Sequence, residues 1–347
     1  MTAVSIINES RRPQSAASSE PPPFMPGIGG TIRTTDLDHL HDRLPGWVEQ
    51  AFQLGQGGFE GSLAFGQTSR MQFAVKEWRP GLLIRGAAPP GSVVLGFPLV
   101  DSTSGRLRGL TVGSNEFGYI ARGEEVDFRS ITPYRLFAAA MPEEELEAYA
   151  QAVLGRPLRS LVRAHRLSGA RSAADRARDV ERLGLEAVYR AAHRLTDPQV
   201  ARWVESRILD SLLSGLSCGE RRTHAPGGAA LARRAEDYLI TNLQAALTIA
   251  DLCTAMRASE RTLHQAFKVH LGTTPKAHLK ALRLNAVRRE LRQAGPGVGV
   301  MDVAMRWGFF HAGWLSQDYR RMFGESPSRT LPVRDPSTVG AATGAGV

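Results

Sequence analysis

The chain has 347 residues, with 43 lysines and arginines against 34 aspartates and glutamates, and a formal net charge of +9. That length allows two domains and a connector, the 42% apolar content supplies a core of ordinary size, and the positive excess favours a polyanionic partner. Two cysteines, Cys218 and Cys253, make no metal spacing and no disulfide framework, and no apolar run is long enough to cross a bilayer; secreted disulfide scaffolds and integral membrane proteins are disfavoured and a cytoplasmic setting is expected.

Residues 1–30 are polar, then rich in proline and glycine, and read as a disordered tail without the basic start and apolar core of a signal peptide. Residues 31–47 have room for a strand and a helix. His39 and His41 stand beside Asp38 and Asp42, which reads as polar surroundings of a helix start rather than a metal site. From about 48 to 140, short apolar stretches alternate with Gly, Pro, Asn and Asp. No βαβ alternation and no phosphate loop interrupts them, so antiparallel strands in a small barrel or double sheet are predicted. Gly55, Gly57, Gly58 and Gly61 lack the strand-to-helix context of a nucleotide fingerprint and mark tight turns. Trp78, Arg85, Phe97, Tyr119 and Arg129 are the candidate groups for an effector in the barrel interior or at its rim.

After Pro142 the pattern turns helical. Glu143, Glu144 and Glu145 suit a helix N-terminus, and 158–168, 172–193 and 198–215 also read as helices. One face of the last carries Val200, Trp203, Val204, Ile208, Leu212 and Leu213; the face of 172–193 carries Val180, Leu183, Leu185, Val188 and Tyr189. Such faces can cover the sheets or pair with a second copy. Residues 216–228 form a polar, glycine-ended linker.

The C-terminal third carries one helical pattern twice. A helix near 230–242 is followed by TIADLCTAM, with Thr248 as cap and Asp251 three residues on. RAS breaks it, and Ser259 caps SERTLHQAFKVH, whose Leu263, Ala266 and Phe267 face inward. That leaves Arg261, Thr262, His264 and Gln265 on the outer side, residue types able to meet base edges in a major groove, with Lys268 and Lys276 as phosphate anchors. In the second copy Gly308 provides the turn before a helix over about 311–323. There Leu315, Tyr319 and Phe323 face inward, Ala312, Gly313, Gln317 and Arg320 outward, and Arg321 toward the backbone of a duplex. Between the copies Pro275–Leu291 forms a strut of about 25 Å at about 1.5 Å per residue. His278, Arg283, Arg288 and Arg289 line it, some as phosphate contacts and others as exposed charge.

The run SERTLHQAFKVHLGTTPKAHLKALRLNAVRREL followed by VMDVAMRWGFFHAGWLSQDYRRMFGESPSRTLP resembles the C-terminal domain of the AraC/XylS family of bacterial transcription regulators. The matching positions are Ser259 to Leu263, Phe267, Gly272, Pro275, Arg283-Leu284, Val303-Ala304, Gly308-Phe309, Tyr319, Phe323-Gly324 and Pro327. In that family the third and sixth helices read DNA. By resemblance the base-contacting set is Arg261, Thr262, His264, Gln265, Ala312, Gly313, Trp314, Gln317 and Arg320, and Arg283 joins Lys268, Lys276 and Arg321 at phosphates. Gln265 and Gln317 stand where a basic residue is common, Gly313 where serine is, and Leu315 where phenylalanine is, which puts any shared operator sequence in doubt. Residues 48–140 resemble, more weakly, the cupin-like sensors of this family, of the ethanolamine-operon type.

The resemblance implies an α+β two-domain chain. A cupin-like antiparallel β-barrel sensor spans 31–142, a helical connector with a possible dimer face 143–215, a linker 216–228, an all-α double helix-turn-helix domain 229–332, and a disordered tail 333–347. The expected function is sequence-specific DNA-binding transcription regulation, as an activator responding to a small molecule. Its partners would be double-stranded promoter DNA, RNA polymerase, an effector and a second copy of the chain, with no cofactor. A nonspecific architectural DNA protein is the alternative. An enzyme on the barrel lacks the HxH…E…H spacing, the GxSxG elbow and the Walker loop that such chemistry uses.

Overall fold

The computed structural model describes residues 24–99, 105–163, 165–169, 175, 178–179, 185–213, 216, 227–295 and 297–332. The predicted tails over 1–23 and 333–347, Val180 and Leu183 of the predicted helix 172–193, and the linker core with Cys218 lie outside the described residues.

The chain opens with β1 (Gly29–Thr34), α1 (Leu37–His41), β2 (Val48–Gln53), β3 (Glu60–Gln67), β4 (Gln72–Arg79), β5 (Leu82–Ala87), β6 (Ser92–Pro98), β7 (Gly105–Leu107), β8 (Leu110–Thr111), β9 (Glu116–Ile120), β10 (Glu125–Ser130) and β11 (Tyr134–Pro142). Then follow α2 (Glu143–Leu154), β12 (Arg166–Ser168), α3 (Leu185–Arg190) and α4 (Pro198–Leu213). The head comprises α5 (Gly227–Thr241), α6 (Ile249–Met256), α7 (Glu260–Leu271), α8 (Pro275–Arg292), α9 (Val300–Arg306), α10 (Ala312–Phe323) and α11 (Pro327–Thr330). The last part of the predicted 1–30 tail is packed instead: Phe24 is buried, and Gly27 N–H donates to the Gln67 carbonyl at 3.0 Å.

The strands do not close into the predicted cupin-like barrel. They form two open antiparallel sheets, one of order β1-β3-β4-β11-β6-β9-β12 and one of order β2-β5-β10-β7-β8. In each sheet the first and last strands remain edges, whereas a barrel requires them to pair. The predicted helix over 158–168 is also corrected: only Leu158–Ser160 makes a short 3-10 turn, and Arg166–Ser168 pairs with β9.

Strand alternation sends successive side chains to opposite faces, so each sheet has two different surfaces. In the seven-stranded sheet Phe73, Leu95, Phe97, Tyr119 and Phe137 join a core with the connector helices, including Leu146 of α2 and Val204, Ile208 and Leu212 of α4. That face of α4 is therefore covered within the chain, while Trp203, predicted on it, is 56% exposed. The sheet's other face contributes Ala74, Trp78, Val94 and Ala140 to a second core, which it shares with Leu82, Ile84 and Val126 of the five-stranded sheet. The five-stranded sheet's remaining face meets the head: Phe52 and Leu83 pack in one cluster with Ala232, Leu239, Phe267 and Leu282.

Candidate nucleic-acid interface

The first helix-turn-helix unit is built by local rules. Thr248 Oγ1 accepts from the Asp251 N–H at 3.2 Å, and an Asp251 carboxylate oxygen accepts from the Thr248 N–H at 2.8 Å, a reciprocal cap that satisfies two N–H groups at the start of α6. The Asp251 carboxyl is held below its usual value by the Thr248 N–H first and then by the Thr248 hydroxyl, which donates to it at 2.7 Å. Arg257 closes α6 in the left-handed region at φ 51°, and Ser259 Oγ accepts from the Thr262 N–H at 3.2 Å to start α7. Leu263, Ala266 and Phe267 are buried, which turns Arg261, Thr262, Gln265 and Lys268 to solvent, with His264 half-buried beside Glu260.

In the second unit Leu315, Tyr319, Met322 and Phe323 of α10 are buried, and the Tyr319 hydroxyl lies 2.7 Å from Thr330 Oγ1. Ala312, Gly313, Trp314, Gln317, Arg320 and Arg321 are exposed. Trp314 is 72% exposed, with the His311 ring edge-on at 5.3 Å, and Phe310 beside them is 70% exposed. An apolar aromatic pair held in water is costly to solvate, so this end of the helix is suited to an apolar contact such as a thymine methyl.

The strut α8 fixes the two units against each other. Thr274 caps it, accepting from the Ala277 N–H at 3.2 Å, and Lys280 pairs with both carboxylate oxygens of Asp318 on α10 at 3.0 Å. Arg283 donates through Nε to the Leu243 carbonyl at 3.0 Å and through Nη2 to the Ala245 carbonyl at 2.6 Å, clipping the loop before α6 to the strut. Gly308 leaves room for this: a Cβ there would stand 3.1 Å from Arg283 Nη1, and its φ of +81° already favours glycine. Lys276 is exposed. His278 is buried, Arg288 stacks on Phe323 at 4.9 Å, and Arg289 lies over Phe52 at 5.5 Å, so these three turn inward.

The seam between head and sheet is polar at its centre. Arg85 on β5 pairs with Glu236 at 2.8 Å and with Asp237, and Arg129 on β10 pairs with Glu236 as well. Arg233 meets Asp127 at 2.9 Å. Three guanidinium groups thus face three carboxylates, which is how buried charge avoids an uncompensated desolvation cost. Burial lowers Arg129 to about 9 against the opposing pull of Asp127. His278 Nε2 lies 2.6 Å from Glu236 Oε1 without hydrogen-bond geometry; burial, then Arg129 and Arg85, hold this imidazole well below its usual pKa. At the edge strand β2, Asn285 Oδ1 accepts from the Gln53 N–H at 2.8 Å and Asn285 Nδ2 donates to the Gln53 carbonyl at 2.9 Å, in the place a further strand would take.

These contacts reach the ends of both candidate reading helices. Arg106 donates to the Val269 carbonyl near the end of α7 at 3.4 Å. Gly57 N–H donates to the Arg321 carbonyl at 3.1 Å, and Gln53 Nε2 to the Met322 carbonyl, both near the end of α10. Arg292 on the strut pairs with Asp36 and, at 3.2 Å, with Asp38. Burial raises the Asp36 carboxyl, but Arg292 and two backbone N–H groups outweigh it and the net direction is down.

Beneath the seam the same strands enclose a cavity of about 90 Å³ between the two sheets, lined by Ala74, Trp78, Ile84, Val94, Val126 and Phe128 among others. Its polar end is a buried ion-paired cluster. Glu49 pairs with Lys76 at 3.0 Å and with His41 Nδ1 at 2.8 Å; burial raises its carboxyl, yet Lys76 and His41 bring it down to about 2. The five candidate effector residues are not brought together. Trp78 faces the cavity, donating its Nε1–H to Ser130 Oγ at 2.9 Å. Phe97 borders the cavity, but its ring stacks with Phe117 and Phe137 in the core under the connector helices, and Tyr119 lies in that core too. Arg85 and Arg129 point the other way, into the seam. Sequence reasoning missed Glu236, Asn285, Gln53 and Asp127. A signal existed for the first, a carboxylate on the same helical face as Ala232, Ala235 and Leu239. Among the described residues no cluster of three or more His, Cys, Asp or Glu is placed to hold a metal, and no helix is long and apolar enough to cross a membrane.

A family profile described as "Helix-turn-helix domain" matches residues 252–332. The chain is 34% identical over 169 residues to the "Probable thc operon regulatory protein" of Rhodococcus erythropolis, a match that takes in 45% of this chain and about half, 51%, of that protein's length. It is 30% identical over 135 residues to the "XylDLEGF operon transcriptional activator 2" of Pseudomonas putida, across 39% of this chain and 86% of that one. Among solved structures, a probable AraC family transcriptional regulator from Rhodopseudomonas palustris CGA009 is 33% identical over 29% of this chain and 94% of that chain, with a TM-score of 0.29. With two helix-turn-helix units on one strut and these relatives, the chain belongs to the AraC/XylS family of transcription regulators.

Proposed function

We propose that the chain is a sequence-specific DNA-binding regulator that acts as an activator at promoters, with α7 and α10 as its reading helices. The observation that carries this is the pair of solvent-facing polar surfaces on those helices, Arg261, Thr262, His264 and Gln265 on one and Gly313, Gln317 and Arg320 on the other, each backed by a packed apolar face. Arginine and glutamine in this position supply paired donors and acceptors for guanine and adenine edges. Lys268, Lys276 and Arg321 are assigned to phosphates. Successive major grooves recur at about 34 Å, so a shorter strut draws the duplex into a bend.

Regulation is assigned to the two-faced sheet. On β5, Ile84 lines the cavity and its neighbour Arg85 grips the head; on β10, Val126 and Phe128 alternate with Asp127 and Arg129 in the same way. A small molecule that prefers one arrangement of this sheet changes how both reading helices are held, and its differential affinity sets the size of the effect. RNA polymerase and a second copy of the chain are the further partners in this reading, Trp203 being an exposed aromatic available to a partner. The test is selection from randomised duplexes with the full chain at physiological salt. A two-part motif spaced by about one helical turn is expected; equal retention of unrelated duplexes would leave only an architectural DNA protein.

A further inference from the structure

We infer that Phe310 and Trp314 read pyrimidine C5-methyl groups in the major groove, so that the half-site under α10 is recognised through thymine methyls and accepts 5-methylcytosine in their place. This rests on the DNA-reading role of α10 proposed above. Trp314 and Phe310 are the two most exposed large apolar side chains among the described residues. Both stand at the N-terminal end of α10, Trp314 in its first turn and Phe310 just before it. The N-terminal residues of a reading helix are the ones that meet base edges. Gly313 and Trp314 lie four and three residues before Gln317 and so share its face of the helix. Arg320 and Arg321 follow, also exposed. The apolar edge is therefore continuous with a polar and basic surface, which suits a duplex as its occupant.

The two reading helices carry different chemistry. On α7 the outward side chains Arg261, Thr262, His264 and Gln265 can each donate or accept a hydrogen bond. The first turn of α10 offers Ala312, Gly313 and Trp314 instead. A Cβ added at Gly313 would meet nothing within 4 Å, so the indole stands above a low, open surface. The His311 ring backs it, edge-on at 5.3 Å. A phenyl ring has no donor or acceptor, and an indole has one donor. Opposite these rings a purine edge or a cytosine amino group loses water and gains at most one bond. A C5-methyl group has no such bonds to lose, and covering it buries apolar surface. Thymine is the standard base that shows this methyl in the major groove. The methyl of 5-methylcytosine sits on the same ring carbon, so cytosine methylation at these positions strengthens binding.

Competition binding of the full chain to its selected duplex tests this. Each thymine of the motif is replaced in turn by deoxyuridine, which removes the methyl and keeps every hydrogen-bonding group. At one or two positions the affinity is expected to fall about fourfold, the worth of one buried methyl. In Trp314→Ala and in Phe310→Ala the fall at one of those positions is expected to shrink below about twofold. Both side chains are exposed, so these variants keep their cores, which circular dichroism checks. With a C·G pair at such a position, 5-methylcytosine is expected to bind about fourfold more tightly than cytosine. A motif without thymine, deoxyuridine held as tightly as thymidine throughout, falls of unchanged size in either variant, or 5-methylcytosine held no better than cytosine overturns the proposal. Variants that hold every duplex as the parent does would assign the rings to a protein partner instead. A selected motif that ignores methyl groups overturns this inference alone. A chain that prefers no duplex overturns the regulatory reading and this inference with it.

Discussion

Replacing Asn285 with alanine removes the side chain that completes the edge of β2. In the parent protein its amide makes three bonds, to the Gln53 N–H at 2.8 Å, the Gln53 carbonyl at 2.9 Å and the Ala281 carbonyl at 2.8 Å. Gln53 has no exposed surface, so the variant leaves a buried donor and a buried acceptor without partners. Each such loss costs about 1–3 kcal/mol, so the docked arrangement loses about 2–6 kcal/mol. The cost is confined to the seam, because once the head lifts away water satisfies both groups. At about 1.4 kcal/mol per decade, even the lower figure raises the open fraction about 30-fold. Native-state hydrogen exchange at the Gln53 amide reads this directly, and its rate is expected to rise by about 30-fold or more. Asn285→Asp keeps an acceptor for the Gln53 N–H but sets oxygen against two carbonyls, so it is expected to be at least as damaging. A Gln53 exchange rate within about threefold of the parent, in a variant with native circular dichroism, would refute the reasoning.

The His278 imidazole is held well below its usual value of 6.5 by burial and by Arg129 and Arg85. The opened chain therefore takes up a proton that the docked chain refuses, and stability present above pH 6.5 falls as pH drops below it, by up to about 1.4 kcal/mol per pH unit. Urea midpoints between pH 7 and 5 should show that slope and His278→Gln should flatten it; equal slopes in the two chains would contradict the assignment. Gln265→Ala and Gln317→Ala should each cost about 1–3 kcal/mol on the selected site and relax one base preference. Unchanged preference in a randomised-duplex selection removes that residue from the reading set. Lys268→Ala should weaken all duplexes alike and lower the salt slope by about one. For Arg283→Ala, whose Nε and Nη2 are engaged by carbonyls, lower stability with an unaltered salt slope is expected, and a reduced slope would place it at a phosphate.

The head was legible because its determinants are close in sequence. The Thr248 and Ser259 caps, the turn at Gly308 and the buried residues of each reading helix lie within a few turns of one another, and their spacing alone assigns inner and outer faces. The sheets were legible as strands but not as an architecture. That β11 lies between β4 and β6 depends on pairings such as Phe137 with Val75 on one side and with Phe97 on the other, which no local pattern specifies. Arg85 and Arg129 were assigned to a ligand pocket for the same reason. Alternation tells which residues share a face of a strand, but not that the polar face of this sheet is covered by a helix whose Glu236 lies 151 residues beyond Arg85 and 107 beyond Arg129. Phe24 was missed because a single buried aromatic in a proline-rich stretch carries no periodicity.

The alternation on β5 and β10 also constrains how this chain can change over time. A one-residue insertion or deletion in either strand would rotate Arg85 or Arg129 inward and Ile84 or Phe128 outward, spoiling both surfaces together. Point replacements at the inward positions leave the outward ones untouched. Descendants of this chain can therefore reshape the lining of the cavity one side chain at a time while keeping their grip on the head, provided that the lengths of these two strands stay fixed.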